Sequence, residues 1–143
     1  MIVVVDTNVF VSAVMSKDGA SRQIIRLCLL GTLQPLMGNA LFAEFEDVCT
    51  RDTLFDAKLI TREDRNHLLD AFLASCRWVS IYFLWRPNLR DEADNHVLEL
   101  AVAGNASAII TANKRDFVKS EIRFPEIKIL NPVEFLDKGI PRP

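Results

Sequence analysis

Hydrophobic positions along the chain fall into two rhythms. Ile2 to Val5 is an unbroken β-branched run closed by the polar triplet Asp6-Thr7-Asn8, the pattern of a buried parallel strand that ends at a loop. Further short apolar runs at 33–37, 78–84, 107–111 and 127–130 are predicted as strands, the second of these closed by Arg86-Pro87-Asn88. Between them apolar residues recur at helical spacing. Ile24, Ile25, Leu27, Cys28 and Leu29 predict a helix over 20–30, with Gly31 at its C-terminal stop. Leu41, Phe42, Phe45, Val48 and Cys49 predict another over 39–50, with Asn39 placed to cap it. Thr61 with Asp64 three residues on opens a helix over 61–76 that turns Leu68, Leu69, Phe72 and Leu73 inward. Val97, Leu98, Ala101 and Val102 do the same for 91–103, closed by Gly104, and Asn131-Pro132 opens a last helix to Asp137.

Strands that alternate with helices predict an α/β protein: a three-layer α/β/α sandwich around a parallel central sheet of about five strands, Rossmann-like, as one domain over 1–143. In such sheets ligands bind outside the carboxyl ends of the strands, so the residues directly after each strand are where chemistry is expected. The length of 143 residues suffices for one core without staples. Half the residues are apolar, with only 5 Gly and 6 Pro, which excludes disordered and collagen-like material. Cys28, Cys49 and Cys76 are odd in number and never paired as C-x-x-C, so neither a disulfide framework nor a cysteine zinc site is expected. No apolar stretch approaches the ~18 residues that span a bilayer, and a cytoplasmic location is expected. A net charge of −2 leaves no global basic field, so any nucleic-acid contact must be local.

The acids fall on the predicted carboxyl edge. Asp6 follows the first strand, Asp91 and Asp94 open the helix after the third, and Asn113 and Asp116 follow the fourth. Glu44 lies on the helix after the second. Converging carboxylates repel one another and raise one another's pKa unless a divalent cation neutralises them. Oxygen donors of this kind favour Mg²⁺ or Mn²⁺ over zinc. A receiver domain would need an acid pair after the first strand, and a haloacid-dehalogenase phosphatase an aspartate at position 8, where this chain has Asn8.

Four blocks in order then carry a resemblance: Asp6-Thr7-Asn8; Glu44; Asp91-Glu92-Ala93-Asp94-Asn95 leading into Leu98-Glu99-Leu100-Ala101; and Thr111 to Phe117. Together they resemble the PIN-domain family from Met1 to about Leu136, and within it the VapC-like toxins of toxin–antitoxin pairs. The resemblance implies a metal-dependent ribonuclease of single-stranded RNA, using one or two Mg²⁺ or Mn²⁺ ions. By position it implies catalytic acids Asp6, Glu44, Asp94 and Asp116, and metal ligands Asp6, Asp94, Asp116 and Asn113, with Asp91 an accessory acid in some branches. Thr7, Asn8, Asn95 and Thr111 would orient those carboxylates. Asn113 stands where many PIN nucleases have aspartate, and Asn95 where a further acid is frequent.

Arg90, Lys114 and Arg115 are the candidates for phosphate contact. His67 and His96 read as surface or packing residues, and Phe42, Phe45, Phe72 and Phe135 as core at helical spacing. A homodimer and a cognate antitoxin are the expected partners, with no membrane. The antitoxin is expected to insert a basic residue into the acidic pocket and to cover an apolar groove near residues 41–73, including Phe42, Phe45, Leu69 and Phe72. The competing reading is a PIN fold without catalysis that binds RNA or protein; such a scaffold would bind no divalent metal and would tolerate changes at Asp6 or Asp94.

Overall fold

Val3, Val4 and Val5 are almost wholly buried in β1 (Ile2–Val5), the central strand of a five-stranded sheet. The structure is a computed structural model that describes residues 1–16, 19–80, 92–118 and 126–139, with the side chains of 92–95, 116, 118 and 139 outside that description. β1 pairs in parallel with β2 (Gln34–Met37) on one side and β4 (Ala108–Ile110) on the other. β3 (Arg77–Trp78) extends the sheet beyond β2, and β5 (Lys128–Leu130) beyond β4, giving the order β3-β2-β1-β4-β5 with every pair parallel. A strand walled in on both edges and both faces must be apolar throughout, which is why β1 and β4 read as solid runs.

The strand order reverses at β1. Chain growth runs outward through β2 to β3, then returns across the sheet to β4, so the right-handed crossover rule puts the returning helix on the opposite face. Helices α1 (Thr7–Met15), α2 (Ala20–Leu29) and α4 (Arg62–Ser75) pack together on one face, α2 touching both others, and α3 (Asn39–Thr50) packs against α1 and α4. On the other face α5 (Glu92–Ala103) lies across β1, β2 and β4. The short α6 (Lys114–Val118) packs by β5, and α7 (Pro132–Glu134) runs into a π-helical turn over Phe135–Gly139. This is the expected α/β/α sandwich on a five-stranded parallel sheet.

Several local expectations are corrected. No loop follows β1: α1 begins directly at Thr7, with Asp6 as its N-cap accepting from the Thr7 amide at 2.8 Å. Its β-branched valines carry little helix propensity, and burial of Val9, Phe10, Ala13 and Val14 holds the helix instead. Gly38, not Asn39, occupies the N-cap of α3. Gly31 does take the left-handed conformation after α2, at φ 82°, but after α5 that role falls to Asn105, at φ 56°. Gly104 serves packing: a Cβ there would stand 2.3 Å from the Leu36 side chain. Val102 faces outward at 39% exposure, and Leu29 is also exposed. Of the strand expected over 78–84, the structure describes residues up to 80, with β3 ending at Trp78 and Val79 still donating to Met37 O.

Thr61 caps α4 as expected, its hydroxyl accepting from the Asp64 amide, and Asn131 forms a capping box with Glu134. Phe45 and Phe72 are fully buried and, with Phe10, form a ring cluster at centroid separations of 5.5–5.9 Å. Leu69 is buried as well. Phe45, Leu69 and Phe72 are therefore spent on the core and not on a groove, while Phe42 is partly exposed, edge-on to Trp78. Burial pushes the thiols of Cys28 and Cys76 up to about 12, which keeps both protonated, and all three cysteines are free. Among the described residues no helix is long and apolar enough to cross a membrane.

Candidate active site

The point where strand order reverses lies between β1 and β4, and the residues that follow these two strands meet there. Asp6 is 6% exposed and Thr111 wholly buried. Thr111 Oγ1 donates to Asp6 Oδ2 at 2.9 Å, a bond across 105 positions of sequence. The Asp6 amide donates to Ile110 O and the Thr111 amide to Leu130 O, so sheet bonds continue into the site and set both residues in register. Asn8, in the first turn of α1, completes the bridge: Oδ1 accepts from the Ala112 amide at 3.1 Å, and Nδ2 lies 3.4 Å from both Asp6 Oδ2 and Thr111 Oγ1. Thr111 Oγ1 also accepts from the Asn113 amide at 3.0 Å.

Thr7 links this bridge to the second acid. Its amide donates to Asp6 Oδ1 and its hydroxyl to Glu44 Oε1 at 3.2 Å. Glu44 reaches the site from α3, its side chain 35% exposed, and its other oxygen stands 2.7 Å from His96 Nε2. His96 belongs to α5 and is 17% exposed. It is neither a surface residue nor inert packing, which corrects the sequence reading. No local signal marks it, because Glu44 and His96 are 52 positions apart on different helices.

Burial is the main influence on Asp6 and pushes its carboxyl above the ordinary aspartate value; the Thr111 hydrogen bond opposes this, and the Glu44 charge adds to it. A carboxylate in that position gains from a nearby cation. The described side chains supply hard oxygen donors at Asp6 and Glu44, the donor chemistry of Mg²⁺ or Mn²⁺. Among the described residues no three acidic, histidine or cysteine side chains are grouped to hold a metal. Asp91 and Arg90 lie outside the described residues. Asp94 and Asn95 are in the first turn of α5, and Asp116 is in α6; their side chains are outside the description too. The Asn113 side chain is exposed.

Of the basic candidates, Lys114 is drawn away. Its Nζ bonds both oxygens of Glu134, at 2.9 and 3.0 Å; the Asn131 amide first, and then this pair, hold the Glu134 carboxyl below the usual range. Arg115, in α6, is exposed. Thr111→Val keeps the shape of the side chain and removes both of its hydrogen-bonding roles. A hydrogen bond to a charged group contributes about 1.5–3 kcal/mol, so the variant should melt several degrees lower by calorimetry, with Asp6 shifted further upward. An unchanged melting temperature would show that the bridge contributes nothing.

A sequence model described as the PIN domain matches residues 2–115, a range that takes in Asp6, Glu44, Asp91, Asp94 and Asn113 and ends one residue before Asp116. Among solved structures the chain is similar to one in the crystal structure of VapBC2 from Rickettsia felis bound to a DNA fragment from their promoter. That likeness has a TM-score of 0.59 at 18% identity, covers 92% of this chain and 98% of the other, and is one of fold. No curated protein matches the sequence.

Proposed function

The chain belongs to the PIN-domain family, and from that premise we propose that residues 1–143 form one domain acting as a metal-dependent endoribonuclease on single-stranded RNA, the toxin of a toxin–antitoxin pair. The observation that carries the reading is the buried Asp6 carboxylate, held against Thr111 where the strand order reverses and joined through Thr7 to Glu44. A divalent cation is the economical way to stabilise acids so placed. Asp6 and Asp94 would hold it, with Asp116, Asn113 and Asp91 as further ligands and Glu44 as the remaining catalytic acid. When bound, Mg²⁺ or Mn²⁺ supplies positive charge at the scissile phosphate and lowers the pKa of the attacking water.

The residues of this chain do the positioning. Thr7, Asn8 and Thr111 hold Asp6 in one orientation, so its charge needs no reorganisation when the phosphate arrives. Asn95 would do the same at the start of α5. Arg115 and Arg90 are the proposed phosphate contacts, whereas Lys114 is already committed to Glu134. The fold likeness to VapBC2, solved with promoter DNA, supports an antitoxin partner, and a homodimer in a cytoplasmic setting completes the proposal.

The reading is tested with purified protein on an unstructured RNA. Cleavage should appear with Mn²⁺ or Mg²⁺ and stop on chelation, and expression should arrest growth unless a gene adjacent to this one is co-expressed. Chelator-resistant cleavage would refute metal dependence. RNA bound but uncut under every metal condition would establish the scaffold instead, and unimpeded growth at high expression would remove the toxin role.

A further inference from the structure

We propose that His96 is a positioning residue that, together with Thr7, fixes the Glu44 carboxylate for the reaction, an inference that rests on the nuclease reading above. Both Glu44 oxygens are engaged, Oε1 by the Thr7 hydroxyl at 3.2 Å and Oε2 by His96 Nε2 at 2.7 Å. The three residues come from the first turn of α1, the middle of α3 and the first half of α5, so the clamp joins helices from both faces of the sheet. Glutamate has three side-chain torsions, and on a partly exposed helix surface an unanchored one samples several rotamers. Each carboxylate oxygen carries two acceptor directions, so one bond on each leaves the remaining directions fixed. Thr7 refers that orientation to Asp6, because its amide and its hydroxyl bond the two acids separately.

His96 is the stiffer half of the clamp. It is more buried than Glu44 and lines a cavity of about 150 Å³ with Gly38, Leu41, Val79 and Leu100. Nε2 stands 2.7 Å from Glu44 Oε2, and because an ionised carboxylate only accepts, the clamp requires a proton on Nε2. The imidazole thereby orients Glu44 without touching RNA.

The test compares wild type, His96→Ala, His96→Gln, Glu44→Ala and the double variant His96→Ala/Glu44→Ala. Loss of a group that orients a catalytic residue costs roughly 10–100-fold in activity. His96→Ala should lower kcat by that amount, with KM for RNA and Mn²⁺ affinity by calorimetry within a few-fold of wild type. His96→Gln, which keeps a donor on a shorter reach, should recover part of the loss. In the Glu44→Ala background the His96 change should have no further effect. Equal losses in both backgrounds, or loss of Mn²⁺ affinity as great as that from Asp6→Asn, would overturn the proposal. A metal-free readout separates it from the nuclease reading: imidazole nitrogen shifts should show the Nε2-protonated tautomer in wild type and a mixture in Glu44→Ala. Identical spectra would refute the clamp whether or not RNA is cut, whereas a wild type that cuts no RNA despite the tautomer change would refute the nuclease reading and with it any catalytic positioning.

Discussion

Asp6→Asn should abolish Mn²⁺ binding and lower RNA cleavage at least ~100-fold, while raising the melting temperature of the metal-free protein. The opposite signs share one cause. Burial pushes the Asp6 carboxyl above its ordinary value of 3.8, so the folded chain holds a proton there that the unfolded chain has already released. Stability from this group is therefore greatest below pH 3.8 and falls as pH rises through the raised folded value, leaving a penalty at neutral pH. Asparagine keeps a side-chain acceptor for the Thr7 amide and carries no charge to bury. Calorimetric unfolding across the acid range should show this decline in wild type and lose it in the variant, and Mn²⁺ should restore stability to wild type alone. Equal Mn²⁺ binding by the two proteins would remove Asp6 from the metal site.

Asp94→Ala should reduce kcat/KM at least ~100-fold, about 2.7 kcal/mol of transition-state stabilisation, and weaken Mn²⁺ binding in parallel. Asp91→Ala should cost less than ~10-fold. Asp94 lies in the first turn of α5, and His96, two residues on, reaches Glu44, so this end of the helix sits at the carboxyl edge of the sheet. Asp91 precedes the helix and has only an accessory place in the family pattern. Kinetics and calorimetry on the two variants decide the matter: full activity in Asp94→Ala would sink its role as a ligand, and a larger loss from Asp91→Ala would exchange the two assignments.

Where one local rule suffices, sequence and structure agree. The helix expected after Asn39 ends at Thr50 as α3 does, although Gly38 takes the cap, and β1 and β4 lie within their apolar runs, because a strand buried on both faces cannot admit polar residues. Asp6-Thr7-Asn8 misled for the same reason: three polar residues after a strand read as a loop, yet Asp6 caps a helix whose stability comes from packing against α2 and α3. Phe45 and Phe72 looked equally suited to a groove or a core, and only their packing against each other and against Phe10 resolved it.

By itself the sequence determined the fold class, the carboxyl edge as the place for chemistry, and Asp6 and Glu44 as acids within reach of it, since strand runs, helical spacing and chain order are local properties. Only the tertiary structure decided that Thr111 anchors Asp6, that Glu134 takes Lys114, and that His96 grips Glu44. These partners lie 105, 20 and 52 positions apart. No periodicity spans such separations; they meet because the sheet order sets β4 beside β1 and α5 across both.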